Sequence, residues 1–371
     1  MKVILAAGGS GGHIFPSLAL ASELEKKGVT DIFFVSSKRK LDKNLLKDSR
    51  HRCFFLSANP MPLKFDPAGA VSFAVKLIAD SIISLWLIAK LRPDVVAGFG
   101  GYSSGAIVKC ARMFGVPVLI HEQNYAPGKA NRMLSRDADC IAVSFKGSAG
   151  YFKNARGRVV YSGNPLRVDM LSNDRAASAG KLGISPEKFT VLVMGGSQGS
   201  SFLNSTVSET ARRIKDKKGD SVQFIHLTGR KDYEKVAAFY GENGIPGRVF
   251  PFLDRIDDAY AASDLAISRS GAAAIFELAF YAKPMILVPY PSVKNNQRSN
   301  AEYFSRSGAA VYKEEKDLSA DGLAEEVLGI LSDEKRRGSI ARAAESLSMP
   351  EAGRILADEV IKLGKMTKVM R

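Results

Sequence analysis

The chain has 371 residues, 46% of them hydrophobic and 25% charged, which is ordinary for a soluble globular protein and long enough for two domains. Lysine and arginine exceed aspartate and glutamate by 53 to 38, and the net charge of +15 favours an acidic partner: nucleic acid, an anionic membrane or a phosphorylated substrate. Cys53, Cys110 and Cys140 lack the spacing of a metal site or a disulfide framework, so we expect reduced thiols in a cytosolic protein.

The first predicted elements are a strand, a glycine-rich loop and a helix. The apolar run 3–7 (VILAA) breaks into glycines too early for the core of a secretion signal, and it suits a strand. The loop 8–12 (GGSGG) lacks the ending of a P-loop, but strand, glycine turn and helix open many nucleotide-binding α/β domains. His13 follows directly. A single histidine is often structural, but at this junction we favour a general base for an attacking hydroxyl.

Two stretches before residue 92 are unusual in charge or hydropathy. Residues 38–52 carry seven basic side chains against two acidic ones, and we expect a solvated helix and loop. Residues 70–89 are long and apolar, but Lys76 and Asp80 lie in the middle, where a charge costs ~2.5–3.5 kcal/mol in a bilayer. Spaced four apart, these two could pair on one face. We therefore expect a mostly buried or interface-seeking helix that does not span a membrane.

Further polar clusters follow predicted strands. Strands are also predicted at 31–36 and 141–144. The strand 94–97 leads into a third glycine loop, and the strand 116–120 ends in residues 121–124 (HEQN). Glu122 could act as a base, orient the histidine of the first loop or hold an acceptor hydroxyl, while Asn124 could bind a sugar and His121 could cap the strand. The break at 163–165 (GNP) suggests an interdomain hinge.

The second half repeats the scheme, with a glycine loop at 195–199 (GGSQG). Predicted strands lie at 190–194, 222–227, 248–251, 264–268 and 285–288. Alternating strands and helices imply parallel sheets covered on both faces, with ligands beyond the carboxyl ends of the strands. The sequence therefore predicts an α/β protein of two Rossmann-like domains, facing one another across a cleft that holds a donor against an acceptor.

The segment 268–277 (SRSGAAAIFE) predicts a strand end, a tight turn and a helix start. Its small residues would let the backbone approach a diphosphate, and Glu277 could accept hydrogen bonds from both ribose hydroxyls, although an ordinary capped helix explains the segment almost as well. Asn296, Gln297 and Asn300 are amides that suit sugar hydroxyls or simply a polar loop. No metal-ligand spacing appears, so backbone N–H groups and an arginine such as Arg167 would stabilise a leaving diphosphate.

Seven motifs occur in the order typical of one family: GGSGGH at 8–13, GGYSSG at 100–105, HEQN at 121–124, GNPLR at 163–167, GGSQG at 195–199, SRSGA at 268–272 and QxxNA at 297–301. In this combination the chain resembles the MurG family of peptidoglycan N-acetylglucosaminyltransferases, which have the GT-B fold. The resemblance implies transfer of N-acetylglucosamine from UDP-GlcNAc to the 4-hydroxyl of the muramyl sugar of lipid I. The anomeric centre would invert, and the product would be lipid II of peptidoglycan biosynthesis.

The resemblance also assigns roles to residues. It implies His13 and Glu122 as catalytic residues, and His13 and Tyr102 around the acceptor. The implied UDP-GlcNAc contacts from the N-terminal domain are Ser10, Gly11, Gly12 and Asn124. Those from the C-terminal side are Arg167, Ser197, Leu253, Ala272, Ala273, Ala274, Ile275, Phe276, Glu277 and Gln297. The chain departs from the family pattern at Ala273, Ala274, Phe276, Asn295 and Asn296. We therefore expect its side-chain contacts to the phosphates and the sugar to differ from those of other family members.

The implied organisation is an acceptor- and membrane-docking domain at 1–163, a donor domain at 164–345 and a helical tail at 346–371 that packs back on the first domain. Lipid I is anchored in the cytoplasmic leaflet, so we expect a peripheral protein on the cytoplasmic face of the bacterial membrane, with no cofactor, no metal and no nucleic acid. Other partners would be cell-wall synthesis and division proteins. Docking would use Phe73, Leu77, Ile83 and Trp86, flanked by Lys64, Lys90 and Arg92.

Three alternatives remain open at this point. A UDP-sugar transferase acting on another lipid would share the fold and the donor site. A UDP-GlcNAc 2-epimerase also has two Rossmann-like domains, but it would consume UDP-GlcNAc without an acceptor. A non-catalytic nucleotide-sugar-binding protein would tolerate loss of His13 and Glu122.

Overall fold

A computed structural model describes residues 1–58, 66–167, 170, 174–292 and 296–370. The chain divides into two compact units. The N-terminal unit comprises residues 1–168 together with 349–371, and the C-terminal unit comprises residues 169–348.

The described residues form strands, α-helices and short 3₁₀ helices. The strands are β1 Lys2–Ala6, β2 Asp31–Ser37, β3 Arg52–Leu56, β4 Val95–Gly98, β5 Val118–Glu122, β6 Cys140–Val143, β7 Arg158–Tyr161, β8 Phe189–Met194, β9 Val222–Leu227, β10 Gly247–Phe250, β11 Leu265–Ser268, β12 Met285–Leu287 and β13 Val311–Tyr312. The α-helices are α1 Gly11–Lys26, α2 Lys40–Leu46, α3 Pro67–Leu91, α4 Tyr102–Met113, α5 Lys129–Leu134, α6 Arg175–Leu182, α7 Ser201–Lys218, α8 Tyr233–Glu242, α9 Ile256–Ala262, α10 Ala272–Phe280, α11 Gln297–Arg306, α12 Ala320–Ser332, α13 Glu334–Leu347 and α14 Ala352–Met370. The 3₁₀ helices are Lys146–Phe152, Gly219–Ser221 and Glu315–Asp317.

The N-terminal unit contains a parallel sheet with the strand order β3-β2-β1-β4-β5-β6-β7. Because successive side chains of a strand point to opposite faces, β1 serves two cores. Val3 and Leu5 pack with α1 and α14, whereas Ile4 and Ala6 pack with α3 and α4. Both faces of the sheet are therefore covered, as expected for an all-parallel sheet.

The C-terminal helix α14 belongs to the N-terminal unit. Its residues Leu356, Val360 and Leu363 are buried in the same cluster as Leu20 and Leu24 of α1. The tail thus completes one side of the first core, and the unit boundary lies after residue 348. The predicted domain ends at 163 and 345 lie five and three residues before the two boundaries of the structure.

The C-terminal unit contains a second parallel sheet, with the order β10-β9-β8-β11-β12-β13. Its central strands are buried, and α7, α8 and α12 cover one face through residues that include Val207, Tyr240 and Val327. The predicted class, two α/β units with parallel sheets, is confirmed. Three strands were not predicted, namely β3, β7 and β13, and each lies at a sheet edge, where only one neighbour supports the strand.

The structure corrects two expectations for α3. Asp80 does not pair with Lys76; its carboxylate accepts hydrogen bonds from the backbone N–H groups of Ser57 (2.8 Å) and Ala58 (2.9 Å) at the end of β3. Of the two alternatives for this helix, the mostly buried one is wrong, since only 22% of its most apolar window is buried, and the interface-seeking one stays a prediction. By length and composition alone, Ala68–Leu91 could cross a bilayer, with a mean hydropathy of 1.9, but a single helix of this kind is weak support for a span.

Candidate active site

The carboxyl ends of β1 and β4 form the switch point of the N-terminal sheet. The two strands are neighbours, but the helices that follow them, α1 and α4, pack on opposite faces. A crevice forms at such a point, and ligands of open α/β sheets bind there. The glycine loops that follow β1 and β4 both lie at this crevice, which brings His13 and Tyr102 to the same edge of the sheet.

The first loop presents the start of α1 with its N–H groups free for a ligand. Ser10 is the N-cap residue, but its side chain does not cap the helix, and its backbone oxygen accepts from the N–H groups of His13 and Ile14. In the part of the chain that the structure describes, the N–H groups of Gly11 and Gly12 have no backbone acceptor. Together with the positive end of the helix dipole, they form a potential anion site.

His13 has a defined tautomer. Its Nδ1 lies 2.9 Å from the carbonyl oxygen of Gly8 and 3.5 Å from the hydroxyl of Ser10. A carbonyl oxygen only accepts, so Nδ1 carries the hydrogen, and Nε2 of the neutral ring keeps its lone pair. The ring fits because Gly100 and Gly101 adopt φ of +91° and +74°; an added Cβ would lie 3.4 Å and 3.3 Å from the imidazole nitrogens.

Glu122 is buried and its carboxylate is saturated with hydrogen bonds. Oε1 accepts from the backbone N–H of Asn124 at 2.9 Å and from its side-chain amide at 3.2 Å. Oε2 accepts from the N–H of Gly128 at 3.1 Å and from the amide of Asn131 at 2.9 Å. This carboxylate therefore fixes the loop after β5, and with four donors already in place it is poorly suited to remove a proton from a substrate.

His121 is buried and has a structural arrangement. Nε2 donates to the carbonyl oxygen of Gly163 at 3.2 Å, and Nδ1 accepts from the amide of Gln123 at 3.0 Å. Burial lowers the pKa of His121 to about 4, which keeps the ring neutral. Its link to Gly163 attaches the predicted hinge segment to the core of the N-terminal unit.

Tyr102 and Arg167 complete the predicted set in this unit. Tyr102 is the first residue of α4, and its side chain is 52% exposed. Arg167 was assigned to the C-terminal side, but the structure groups it with the N-terminal unit. Its guanidinium lies over the ring of Phe15, 3.8 Å from the centroid, and a Cβ added at Gly11, at the start of α1, would lie 2.9 Å from that ring.

The C-terminal unit has its own switch point, between β8 and β11. The loop after β8 turns at Gly196 and Gly199, where φ is +89° and +77°, and Ser197 is exposed at its tip. The loop after β11 leads into α10, whose N-cap is Gly271 and has no side-chain cap. Both loops can therefore present backbone N–H groups to a phosphate.

Arg269 holds these loops together, a role that the sequence analysis did not predict. The side chain is 5% exposed and donates to the hydroxyl of Ser200 at 2.6 Å and to the carbonyl oxygens of Val288 and Pro289, both at 3.1 Å. It also forms an ion pair with Glu315. The arginine was visible only as part of the SRSGA motif, and its burial depends on contacts from distant segments.

A cavity of about 400 Å³ lies beside this arginine within the C-terminal unit. Its wall includes the glycine loop after β8, Tyr290 and Gln297. The side-chain oxygen of Gln297 accepts from the N–H of Tyr290 at 3.0 Å, and its backbone oxygen accepts from the hydroxyl of Ser270 at 2.8 Å. Gln297 is thus fixed at the mouth of the predicted donor site, next to the start of α10.

The remaining predicted donor residues fall into two groups. Ala273 and Ala274 are half-buried on the first turn of α10, behind the more buried Ala272, and Leu253 is half-buried between β10 and α9. Ile275 and Phe276 face the core, and the Phe276 ring packs edge-on against another phenylalanine at 5.5 Å.

Glu277 is 3% exposed and accepts a hydrogen bond from the hydroxyl of Tyr260 at 2.7 Å. Asn296 is the N-cap position of α11, and Asn295 lies outside the described residues. Within the described ranges, no group of three or more His, Cys, Asp or Glu side chains has an arrangement that could hold a metal ion.

Comparison with known proteins supports one family. The model of the glycosyltransferase family 28 N-terminal domain matches residues 3–143, and that of the C-terminal domain matches residues 190–354. A Geobacter sulfurreducens protein is 34% identical over 363 residues, which cover 97% of this chain and 98% of that protein. A Desulfotalea psychrophila protein is 36% identical over 361 residues, covering 96% and 95%. Both are named UDP-N-acetylglucosamine–N-acetylmuramyl-(pentapeptide) pyrophosphoryl-undecaprenol N-acetylglucosamine transferase.

Solved structures show the same fold. The chain matches the crystal structure of Acinetobacter baumannii MurG with a TM-score of 0.76 and 24% identity, over 98% of this chain and 100% of that one. It also matches the UDP-GlcNAc 2-epimerase from Neisseria meningitidis bound to UDP-GlcNAc, with a TM-score of 0.67 and 14% identity over 98% of this chain and 100% of that one. At these identities the likeness concerns the fold alone.

Proposed function

The chain belongs to glycosyltransferase family 28 and, within it, to the MurG family of transferases named above, and from this premise we propose that it transfers N-acetylglucosamine from UDP-GlcNAc to lipid I. The product is lipid II, and the fold is GT-B. The observation that carries the mechanism is the tautomer of His13, which leaves Nε2 as a base at the switch point of the N-terminal sheet.

In the proposed reaction, Nε2 of His13 takes the proton of the acceptor 4-hydroxyl. The hydroxyl oxygen forms a bond to the anomeric carbon of N-acetylglucosamine while the bond from that carbon to the UDP oxygen breaks. UDP leaves with the electron pair, and a single displacement inverts the anomeric centre. The Nδ1–H bond to Gly8 holds the ring in the tautomer that this step needs.

We assign Glu122 a positioning role in this reaction. Its four hydrogen bonds hold the loop that carries Asn124, and they leave the carboxylate little capacity to accept a further proton. On the acceptor side we place Tyr102, which is exposed at the first turn of α4, and Arg167, which lies beside the first turn of α1. Ser10, Gly11 and Gly12 remain the proposed donor contacts from this unit.

The leaving diphosphate would lie against the C-terminal unit. The loop that contains Ser197 and the uncapped first turn of α10 at 272–274 offer N–H groups and a favourable helix dipole. Gln297 borders the cavity where the sugar would bind, and Leu253 lies in the loop between β10 and α9. Ile275 and Phe276 would support this site from the core, and Glu277 would meet the ribose only if its bond to Tyr260 is exchanged.

A transfer assay with labelled UDP-GlcNAc tests the reaction, with and without a lipid I analogue. Label in a lipid-linked disaccharide, formed only with the acceptor, is the expected result. Turnover of the donor without acceptor would contradict the transferase and favour an epimerase, whose fold the chain shares. Tight UDP binding with no transfer would contradict lipid I as the acceptor.

We also propose that α3 docks the protein on the cytoplasmic face of the bacterial membrane, as a peripheral protein. Five apolar side chains follow one another at helical spacing and are 51–64% exposed; they are Val71, Val75, Ile78, Ile82 and Trp86. Lys90 lies over the Trp86 ring at 4.4 Å from its centroid, which places a positive charge at the end of this stripe. Lys64, a predicted flanking charge, lies outside the described residues.

Flotation with liposomes rich in anionic lipid tests this docking. The double variant Ile78→Ser with Ile82→Ser should lose most of its binding, since each buried side chain contributes ~1.5–3 kcal/mol. Met113→Ser with Phe114→Ser is the matched control, because these residues are exposed and apolar at the end of α4. Equal flotation of both folded variants would contradict the proposal. Cell-wall synthesis and division proteins remain proposed partners at this membrane.

A further inference from the structure

Asp42 is a buried carboxylate next to the first glycine loop. It lies on α2 and is fully buried. Its Oδ2 accepts from the backbone N–H of Gly9 at 2.8 Å and from the hydroxyls of Ser36 at 3.2 Å and Ser37 at 2.5 Å. The backbone N–H of Ser37 also donates to Oδ2, at 3.3 Å. Its other oxygen, Oδ1, is buried and has no partner among the described residues.

The bond to Gly9 connects this carboxylate to His13. The N–H of Gly9 and the carbonyl of Gly8 belong to the same peptide group. The N–H end of this group donates to Asp42, and its carbonyl end accepts from Nδ1 of His13 at 2.9 Å. A negative charge, a peptide dipole and the imidazole N–H are therefore linked in series. Hydrogen bonds in such a chain polarise and strengthen one another.

We propose that Asp42 is a positioning residue that acts on His13 through the Gly8–Gly9 peptide group. The carboxylate polarises this group and makes the Gly8 oxygen a stronger acceptor. The stronger acceptor holds the Nδ1–H tautomer and increases the proton affinity of Nε2. The arrangement performs the task of a carboxylate bonded directly to a histidine, with one peptide group inserted between them. This inference rests on the proposed function only in giving His13 the role of base.

The packing around the loop supports a fixed geometry. A Cβ at Gly8 would lie 2.7 Å from Oδ2 of Asp42 and 2.9 Å from the hydroxyl of Ser103, so a larger residue would displace the peptide group. Other titratable or charged groups also face the loop or the imidazole; they are Arg39 beside Gly9, Tyr102 after Gly101, His121 through its electrostatic interaction with His13, and Glu122 through Asn131. Asp42 differs from these groups because hydrogen bonds connect it to the acceptor of Nδ1.

The test is the titration of the His13 ring by NMR in the full-length protein, which needs no substrate. Asp42→Asn removes the charge but keeps the shape, and the titration midpoint should fall by about half a pH unit. The resonance is assigned by its loss in His13→Gln. His121 and His226 do not interfere, because burial lowers their pKa values to about 4 and about 3. In the transfer assay, the acidic limb of kcat/KM should move in the same direction.

Asp80→Asn is the matched control. Asp80 is also buried in the N-terminal unit and also accepts two backbone N–H bonds, but these bonds lead to Ser57 and Ala58. Its replacement should leave the His13 midpoint unchanged. A loss of structure alone would move the two variants alike, so equal shifts in both would overturn the proposal.

Two further variants keep the test decisive if Asp42→Asn does not fold. Asp42→Glu retains the charge and should return the midpoint to within about 0.2 pH units of the wild type. Ser37→Ala removes the shortest competing bond to Oδ2, which leaves more of the charge for Gly9, and the midpoint should rise. A midpoint that falls or stays constant in Ser37→Ala would overturn the proposal. Absent transfer activity in the wild type would instead contradict the proposed function and leave this titration unaffected.

Discussion

The hydrogen bond from Nδ1 of His13 to the Gly8 oxygen decides which ring nitrogen can receive a proton. The two buried carboxylates near the site, Glu122 at the end of β5 and Asp42 on α2, then differ in their surroundings: Glu122 is saturated by four donors, whereas Asp42 is connected to the imidazole through a peptide group. At the scale of single residues, the chemistry therefore depends on what each side chain already binds, and less on which residue types are present.

Replacement of His13 should separate chemistry from binding. In His13→Ala, turnover should fall by about 10²–10⁴-fold, because the general base is lost. UDP affinity should change little, since the donor cavity lies in the C-terminal unit. Transfer kinetics and calorimetric titration with UDP give the two readings. Near-normal turnover in this variant would remove His13 from the mechanism.

Replacement of Glu122 should act on the fold of the loop. Glu122→Gln places an amide NH₂ against groups that are themselves donors, and the free energy of unfolding should fall by ~1–3 kcal/mol. Urea unfolding measures this loss. If Glu122 were the base, its variant would lose turnover with unchanged stability, which is the opposite pattern.

The sequence is a better guide to residues in local motifs than to residues whose surroundings are formed by distant parts of the chain. His13 could be proposed from the sequence because it follows the first glycine loop directly, and Gln297 because it begins the QxxNA motif at 297–301. Asp42 could not, because it lies in a stretch with seven basic residues that looks like a solvated surface, and its burial comes from β2 and the first loop. Arg269 was missed for the same reason, since all four of its partners lie at least 19 positions away along the chain.

At the scale of elements, two helices are notable for their surroundings. The helix α3 carries an exposed apolar stripe and is held by Asp80, while α14 crosses from the end of the chain into the first core. Hydrophobic periodicity predicted both helices but not their surroundings. Edge strands such as β3 and β7 escaped prediction because each pairs on one side only.

The packing of α14 predicts that the effect of a substitution on the free energy of unfolding depends strongly on its position along this helix. Leu356→Ala should lower the free energy of unfolding by ~2–5 kcal/mol, because a fully buried side chain is removed from the first core. Met366→Ala, at a position that is 52% exposed, should change it by less than about 0.5 kcal/mol. Similar losses in the two variants, measured by urea unfolding, would show that α14 is not anchored as described.

At the scale of the whole molecule, each unit has its own sheet, its own core and its own buried neutral histidine. The alternation of strands and helices was sufficient to predict this architecture. His121 in the N-terminal unit and His226 in the C-terminal unit both have pKa values lowered by burial. Each ring is satisfied in its neutral form, and His226 bonds to Tyr240 and Asn204.

Stability should therefore fall on acidification. Below the unfolded pKa of ~6.5, the unfolded chain binds protons at these histidines while the native chain does not, so the free energy of unfolding decreases as pH falls toward about 4. Each histidine should contribute up to ~1.4 kcal/mol per pH unit. Urea unfolding between pH 7 and pH 5 measures the slope, and His226→Gln should reduce it. An unchanged slope in that variant would contradict this account.

The placement of α14 also bears on the order in which the chain folds during synthesis. The C-terminal unit is one continuous segment, whereas the N-terminal unit needs residues 349–371 to close its first core. When residues 1–168 have been synthesised, the N-terminal unit therefore still lacks α14, and the apolar side chains that pack against α14 are uncovered. All residues of the C-terminal unit are synthesised before α14. The N-terminal unit, whose synthesis begins first, is therefore the last of the two units that can complete its folding.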